Sequence, residues 1–185
     1  MTRIVLASKS PRRRELLSLL NLQFEVIVSE IEECIDYDND LVKEIEKLSY
    51  QKAEAVFKNN KDAIVIGSDT IVKIGNKALG KPHSANEAKE MLKLLSGKTH
   101  EVVTGVTILK DDVVDTFSSV ASVSFYEMSE EEIDEYVATG EPMDKAGAYA
   151  IQGIAEKYIK SIEGDYYTIV GLPVGELYHH LLRYL

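Results

Sequence analysis

The run Ala63-Ile64-Val65-Ile66-Gly67 constrains the chain most. It is strand-sized, and apolar without alternation. A strand that turns one face to water alternates polar and apolar residues, and this one does not. Both of its faces must be covered, which calls for a sheet with further layers on each side. The rest of the pattern supplies those layers. Arg3 to Ala7 reads as a buried strand, and Ser10-Pro11 as a helix start, with Ser10 at the N-cap and Pro11 at the first helical position. That helix is expected to run to about Asn21. Phe24 to Val28 reads as a strand, and Asp40 to Asn59 as a long helix. Thr70 to Ile74 and Lys77 to Leu79 flank Gly75-Asn76 as a hairpin. Ser84 caps a helix ending near Gly97. Val102 to Leu109 and Val113 to Phe125 read as antiparallel strands. Ser129-x-x-Glu132 is a capping box for a helix that stops at Gly140. Tyr158 to Ile162 and Tyr167 to Val170 read as strands, and Pro173 opens a last helix. The expectation is an α/β fold, a mixed central sheet flanked by helices, with residues 1–185 as a single domain.

The chain has 185 residues, enough to bury a substantial core. No apolar run approaches the ~20 residues of a membrane span, and the N-terminus lacks the apolar core of a signal peptide. The one cysteine, Cys34, rules out an internal disulfide. A cytoplasmic protein with no membrane partner is expected. A formal net charge of −10 argues against nucleic acid, whose phosphates need a basic face. A small polyanion would need local cations or a bridging metal.

Local cations stand at the first helix. Ser8, Ser10, Arg12 and Arg13 surround a helix N-terminus, where free N–H groups and the helix dipole favour an anion. The bland reading is a solvated basic turn. Against it, three arginines in a first turn oppose the dipole unless an anion comes to the site. Asp69, in Gly67-Ser68-Asp69-Thr70, is expected at the carboxyl end of the apolar strand, where it could serve as metal ligand or general base. A turn-forming Asp is an equal alternative. Gly75 to Pro82, GNKALGKP, imitates a P-loop, but Pro82 stands where the Mg²⁺-binding hydroxyl belongs, so a P-loop is rejected. Lys81 could still meet a phosphate as a point charge. The carboxylates Glu30, Glu32, Glu33, Asp36 and Asp38 could hold Mg²⁺, although on these residues alone a solvated acidic loop is the better reading. Gly140 to Gly153 is a glycine-dense loop in which Gln152 offers a donor and an acceptor to a base edge. The histidines and Cys34 show no zinc spacing, and no G-x-S-x-G elbow supports a serine hydrolase.

Taken in order, LASKSPRRRELL, VSEIEE, QKAEAV, IGSDTIV, LGKP, SGKTHEVVTGV, GEPMDKAGAYAIQG and GDYYTIVGLP resemble the Maf family of nucleotide pyrophosphatases over essentially the whole chain. The resemblance implies two lobes with a central cleft, in a fold related to inosine triphosphate pyrophosphatases. It implies hydrolysis of a nucleoside triphosphate between the α- and β-phosphates, dependent on Mg²⁺ or Mn²⁺. Asp69 falls on the family's catalytic carboxylate. Ser8, Arg12, Glu32, Lys52 and Lys81 fall on its phosphate- and metal-handling set. Arg12, Thr70 and Gln152 match the subgroup that prefers dTTP and UTP. The resemblance also allows a homodimer.

On this basis Mg²⁺ is expected to bridge the triphosphate to Asp69 and Glu32, with Arg12, Lys52 and Lys81 on phosphate oxygens, while water attacks the α-phosphorus. House-cleaning of nucleotide pools is the expected purpose. A nucleotide-binding regulator of septum formation with little turnover is the alternative. It explains less well why the carboxylates and Lys81 are kept.

Overall fold

The computed structural model describes residues 2–28, 30–37 and 39–185. Asp38 of the acidic cluster lies outside them. The strands are β1 (Ile4–Ala7), β2 (Glu25–Val26), β3 (Ile64–Ile74), β4 (Lys77–Leu79), β5 (Thr99–Lys110), β6 (Val113–Phe125) and β7 (Ile159–Glu163). The α-helices are α1 (Pro11–Ser18), α2 (Leu41–Phe57), α3 (Ala85–Leu95), α4 (Glu130–Ala138), α5 (Tyr166–Val170) and α6 (Val174–Leu181). The strands form one sheet in the order β2-β1-β3-β5-β6-β7, with β4 paired to β3. Parallel pairs β1–β2 and β1–β3 sit beside antiparallel pairs β3–β4 and β6–β7, so the sheet is mixed, as expected. No helix among the described residues is long and apolar enough to cross a membrane.

The chain divides into two compact units, and β3, β5 and β6 contribute residues to both. The first comprises residues 1–70, 104–119 and 171–185. Its core gathers Val5 and Ala7 of β1, Val65 of β3, Leu109 of β5, and Ala53, Val56 and Phe57 of α2. Gly67 lets α2 lie directly on β3: a Cβ there would stand 2.3 Å from the Ser49 carbonyl oxygen and 2.7 Å from the Ala53 nitrogen. The second unit comprises residues 71–103 and 120–170. There α3 and α4 pack through Leu92, Leu95, Ile133 and Tyr136 onto Val102, Val123 and Phe125. His100 is buried in this unit against Phe125 and Tyr149. Its Nε2 lies 2.7 Å from the Tyr149 hydroxyl, while Nδ1 has no hydrogen-bond partner among the described residues.

Local signals placed most element ends. Asp40 accepts the Val42 N–H at the start of α2, and Ser84 accepts that of Glu87 in α3. The Ser129–Glu132 capping box is complete on both sides. Four expectations change. The two apolar runs on either side of Ser68-Asp69 form one strand, β3, so Asp69 lies inside a strand rather than at its end. Helix α1 ends at Ser18 and gives way to turns before Asn21. Strand β2 is only Glu25–Val26, both exposed at a sheet edge. Tyr167 to Val170 belongs to helix α5, not to a strand. The Asp165 carboxylate accepts the N–H groups of Tyr167 and Thr168 at 3.2 and 3.0 Å. That cap outweighs the β-preference of Tyr, Thr, Ile and Val.

Two measurements check this packing. Gly67→Ala forces a methyl into the α2 backbone and is expected to cost at least about 1–3 kcal/mol, lowering Tm by roughly 2–10 °C. A Tm unchanged within 1 °C or so would contradict the close approach. Burial holds His100 down from 6.5 to about 4. The unfolded chain therefore takes up a proton that the folded chain refuses. This contribution is fully present above about pH 6.5 and is lost as pH falls to about 4, amounting to about 3 kcal/mol. His100→Gln removes the titration and keeps a partner for Tyr149. The stability advantage of the parent over the variant should shrink by that amount across this window in urea melts. Parallel curves would contradict it.

Candidate active site in the first unit

Strand β3 and helix α2 carry the centre of the site. Asp69 is half-buried on β3, and Lys52 lies in the buried face of α2, 8 % exposed. The Lys52 ammonium is 3.2 Å from Asp69 Oδ1 and 2.9 Å from Glu33 Oε1. A lysine so far from water is held by its carboxylate partners, since an unpaired buried ammonium would be strongly penalised. Two carboxylates thus share one cation.

A second cation closes on Asp69 from α1. The Arg13 guanidinium is buried, and one terminal nitrogen lies 3.7 Å from Asp69 Oδ1. The same nitrogen donates to the Thr70 hydroxyl at 3.0 Å. Nε donates to the Gly171 carbonyl at 2.8 Å, and the other terminal nitrogen reaches Ser8 Oγ at 3.5 Å. Burial lowers the pKa of Arg13 from its ordinary value, opposed by the charges of Asp69 and Glu33. The three arginines are therefore not equivalent: Arg13 is committed to protein partners, Arg12 is half-buried and Arg14 is exposed.

The frame around these charges is made of hydroxyls and one glycine. Period-two alternation puts Ser68 and Thr70 on one side of β3. Ser68 Oγ donates to the Gly171 carbonyl at 3.3 Å, and the Thr70 and Thr104 hydroxyls meet at 2.8 Å. Gly171 has φ 127°, a conformation closed to most side chains, which lets its carbonyl serve both Arg13 and Ser68. Ser8 is buried at the start of the β1–α1 turn, and its hydroxyl accepts the Ser10 N–H at 3.2 Å. Ser10 caps α1 by accepting the Arg13 N–H at 3.4 Å.

The structure thus brings together Ser8, Arg13, Lys52, Asp69 and Thr70. It sets the Glu33 carboxylate 2.9 Å from the Lys52 ammonium, although Glu33, like Glu32, is exposed. Glu33, Thr104 and Gly171 are the site residues that sequence reasoning did not single out. Glu33 had been named only within the acidic cluster, and Gly171 only within GDYYTIVGLP. Lys81 and Gln152 belong to the second unit, and both are exposed. Lys81 follows the β3–β4 hairpin, whose turn uses Gly75 at φ 55°, so GNKALGKP is not a phosphate-binding loop between strand and helix.

Known proteins resemble this chain along its whole length. A family model described as Maf-like protein matches residues 3–184. A relative from Bacillus cereus named dTTP/UTP pyrophosphatase is 51% identical over all of this chain and 96% of its own length. One of the same name from Bacillus anthracis is 52% identical with the same coverage. Among solved structures, the Ham1 protein of Staphylococcus aureus matches 98% of both chains with a TM-score of 0.54 at 15% identity, which is a likeness of fold. With the family model covering nearly every residue and relatives above half identical along the full length, this chain belongs to the Maf-like protein family.

Proposed function

We propose that this protein is a metal-dependent nucleoside triphosphate pyrophosphatase that hydrolyses dTTP and UTP, and modified pyrimidine nucleotides of the same shape, to the monophosphate and pyrophosphate. One observation carries the reading beyond the names of the relatives: a single carboxylate, Asp69, is held between Lys52 and Arg13 in a chain of net charge −10. Cations concentrated against one carboxylate suit a polyanionic substrate that must meet a base.

Glu33 and Asp69 already direct hard oxygen donors at one cation, the Lys52 ammonium. That donor set fits Mg²⁺ or Mn²⁺, which takes one or two carboxylates and leaves its other positions to water and phosphate oxygens. Among the described residues no group of three or more His, Cys, Asp or Glu side chains gathers, so water and substrate oxygens would have to supply the rest of the shell. Asp69 and Glu33, the two carboxylates that meet at Lys52, would hold the ion. When bound it would neutralise phosphate charge and acidify water. Asp69 accepts a proton from the attacking water. The new bond forms at the α-phosphorus, and the bond from that phosphorus to the α–β bridging oxygen breaks. Lys52 and Arg12 neutralise charge on the phosphate oxygens, helped by Ser8 and the N-terminus of α1. Arg13 keeps Asp69 and Thr70 in place. For Lys81 on phosphate and Gln152 on the pyrimidine edge, the support is the family resemblance. The uracil or thymine O4 and N3–H complement an amide, and the methyl that distinguishes them is worth only ~1–3 kcal/mol, so both nucleotides are substrates. Cytoplasmic nucleotide pools are the setting, and a homodimer is the assembly we favour.

Asp69→Asn keeps the shape of the side chain but removes its basicity. It should lower kcat for UTP by about 10²–10⁴-fold, read as pyrophosphate release. Near-parental turnover would end the assignment, and nucleotide bound without product in the parent would favour a regulator. Chelation with EDTA should abolish turnover, and Mg²⁺ or Mn²⁺ should restore it. Undiminished activity in chelator would remove the metal from the scheme.

A further inference from the structure

The loop that presents Gln152 is held far more firmly than an exposed glycine-rich segment requires. Residues 147–151 are buried and Gln152 is exposed. Gly147 and Ala148 have φ 67° and 60°. The alanine pays a steric cost there, and such a cost persists only where surrounding contacts dictate the backbone.

Those contacts lie on both sides of Gln152. Before it, the Tyr149 hydroxyl lies 2.7 Å from His100 Nε2 inside the second unit, and the Tyr149 ring packs edge-on against Phe125 at 4.8 Å. The Ala150 N–H donates to the Tyr136 hydroxyl at 3.3 Å. After it, the Ile154 N–H donates to Glu141 Oε1 at 3.1 Å. The same oxygen would lie 2.2 Å from a Cβ at Gly153, so the loop closes over the carboxylate. Among the described residues Glu141 Oε2 has no hydrogen-bond partner though it is buried, and neither has Nδ1 of His100. Both are stability costs. Two unsatisfied polar atoms beneath one short loop are accounted for if its conformation matters more than the stability lost.

We infer that Glu141 and the His100–Tyr149 pair are positioning residues for base selection: they fix the backbone on either side of Gln152, so that its amide meets the pyrimidine edge in one orientation. The inference rests on Gln152 reading the base, as proposed above. An amide can flip to suit the reversed donor–acceptor pattern of cytosine. Discrimination between UTP and CTP therefore depends on holding the side chain, and a displacement of about 1 Å can cost up to about 100-fold.

The test measures kcat and KM for UTP and CTP in the full chain and in four variants. Tyr149→Phe removes only the hydroxyl. Glu141→Ala removes the acceptor, and Glu141→Gln retains an acceptor oxygen. Gln152→Ala tests the underlying reading. The expected result is a fall of about tenfold or more in the UTP/CTP ratio of kcat/KM for Tyr149→Phe, Glu141→Ala and Gln152→Ala. The change should appear mainly in KM, and Glu141→Gln should remain near the parent. A purely structural role would lower Tm and both activities alike, leaving the ratio unchanged. If Gln152→Ala loses discrimination while Tyr149→Phe and Glu141→Ala keep it, the inference falls and the base-reading role stands. If Gln152→Ala itself keeps discrimination, both fall. Should Glu141→Ala fail to fold, Tyr149→Phe decides alone.

Discussion

The buried pairing of Asp69 with Lys52 and Arg13 is the interaction on which the rest of the first unit is organised. Three ionic groups lie at or near the limit of solvent reach, and none would be tolerated there alone. Lys52 requires α2 to lie against β3, which the missing side chain of Gly67 permits. Arg13 requires α1 to begin directly after β1, which Ser10 and Pro11 arrange. Its guanidinium then ties β3 to the Gly171 carbonyl, far away in sequence. Removing one partner would leave an uncompensated buried charge, which is costlier than the pair is favourable.

The same pairing explains how an acidic protein can receive a polyanion on the proposed reading. Net charge sets the long-range field, but contact depends on charges within a Debye length, about 8 Å at physiological salt. Within that range Asp69 has two cations beside it, and Glu33 partly offsets them. A phosphate arriving there would displace a carboxylate from an ammonium rather than strip water from a fully hydrated one. Little reorganisation is then left for the chemical step.

Much of this was legible in the residues, for identifiable reasons. The unalternated run from Ala63 required layers on both faces, and β3 lies within the sheet with β1 and β5 beside it. Capping chemistry at Ser84 and Ser129 is local, and it placed the starts of α3 and α4. Asp69, Lys52 and Ser8 were marked by the ordered motifs. What sequence could not supply was non-local. Whether Glu32 or Glu33 meets Lys52 depends on the path of a segment outside any helix or strand, which has no periodicity to reveal it. Arg13 reads in sequence as a phosphate-binding cation beside Arg12, because its partners Gly171 and Thr70 are distant in the chain. Helix α5 was hidden because β-favouring residues fill it and a single aspartate decides its start.

The central claim is that water attacks the α-phosphorus at Asp69. The most direct measurement is turnover of UTP in oxygen-18-labelled water, with mass analysis of both products. The account predicts one labelled oxygen in UMP and none in pyrophosphate. Label in pyrophosphate, or release of UDP with labelled orthophosphate, would place the attack at a different phosphorus and contradict it.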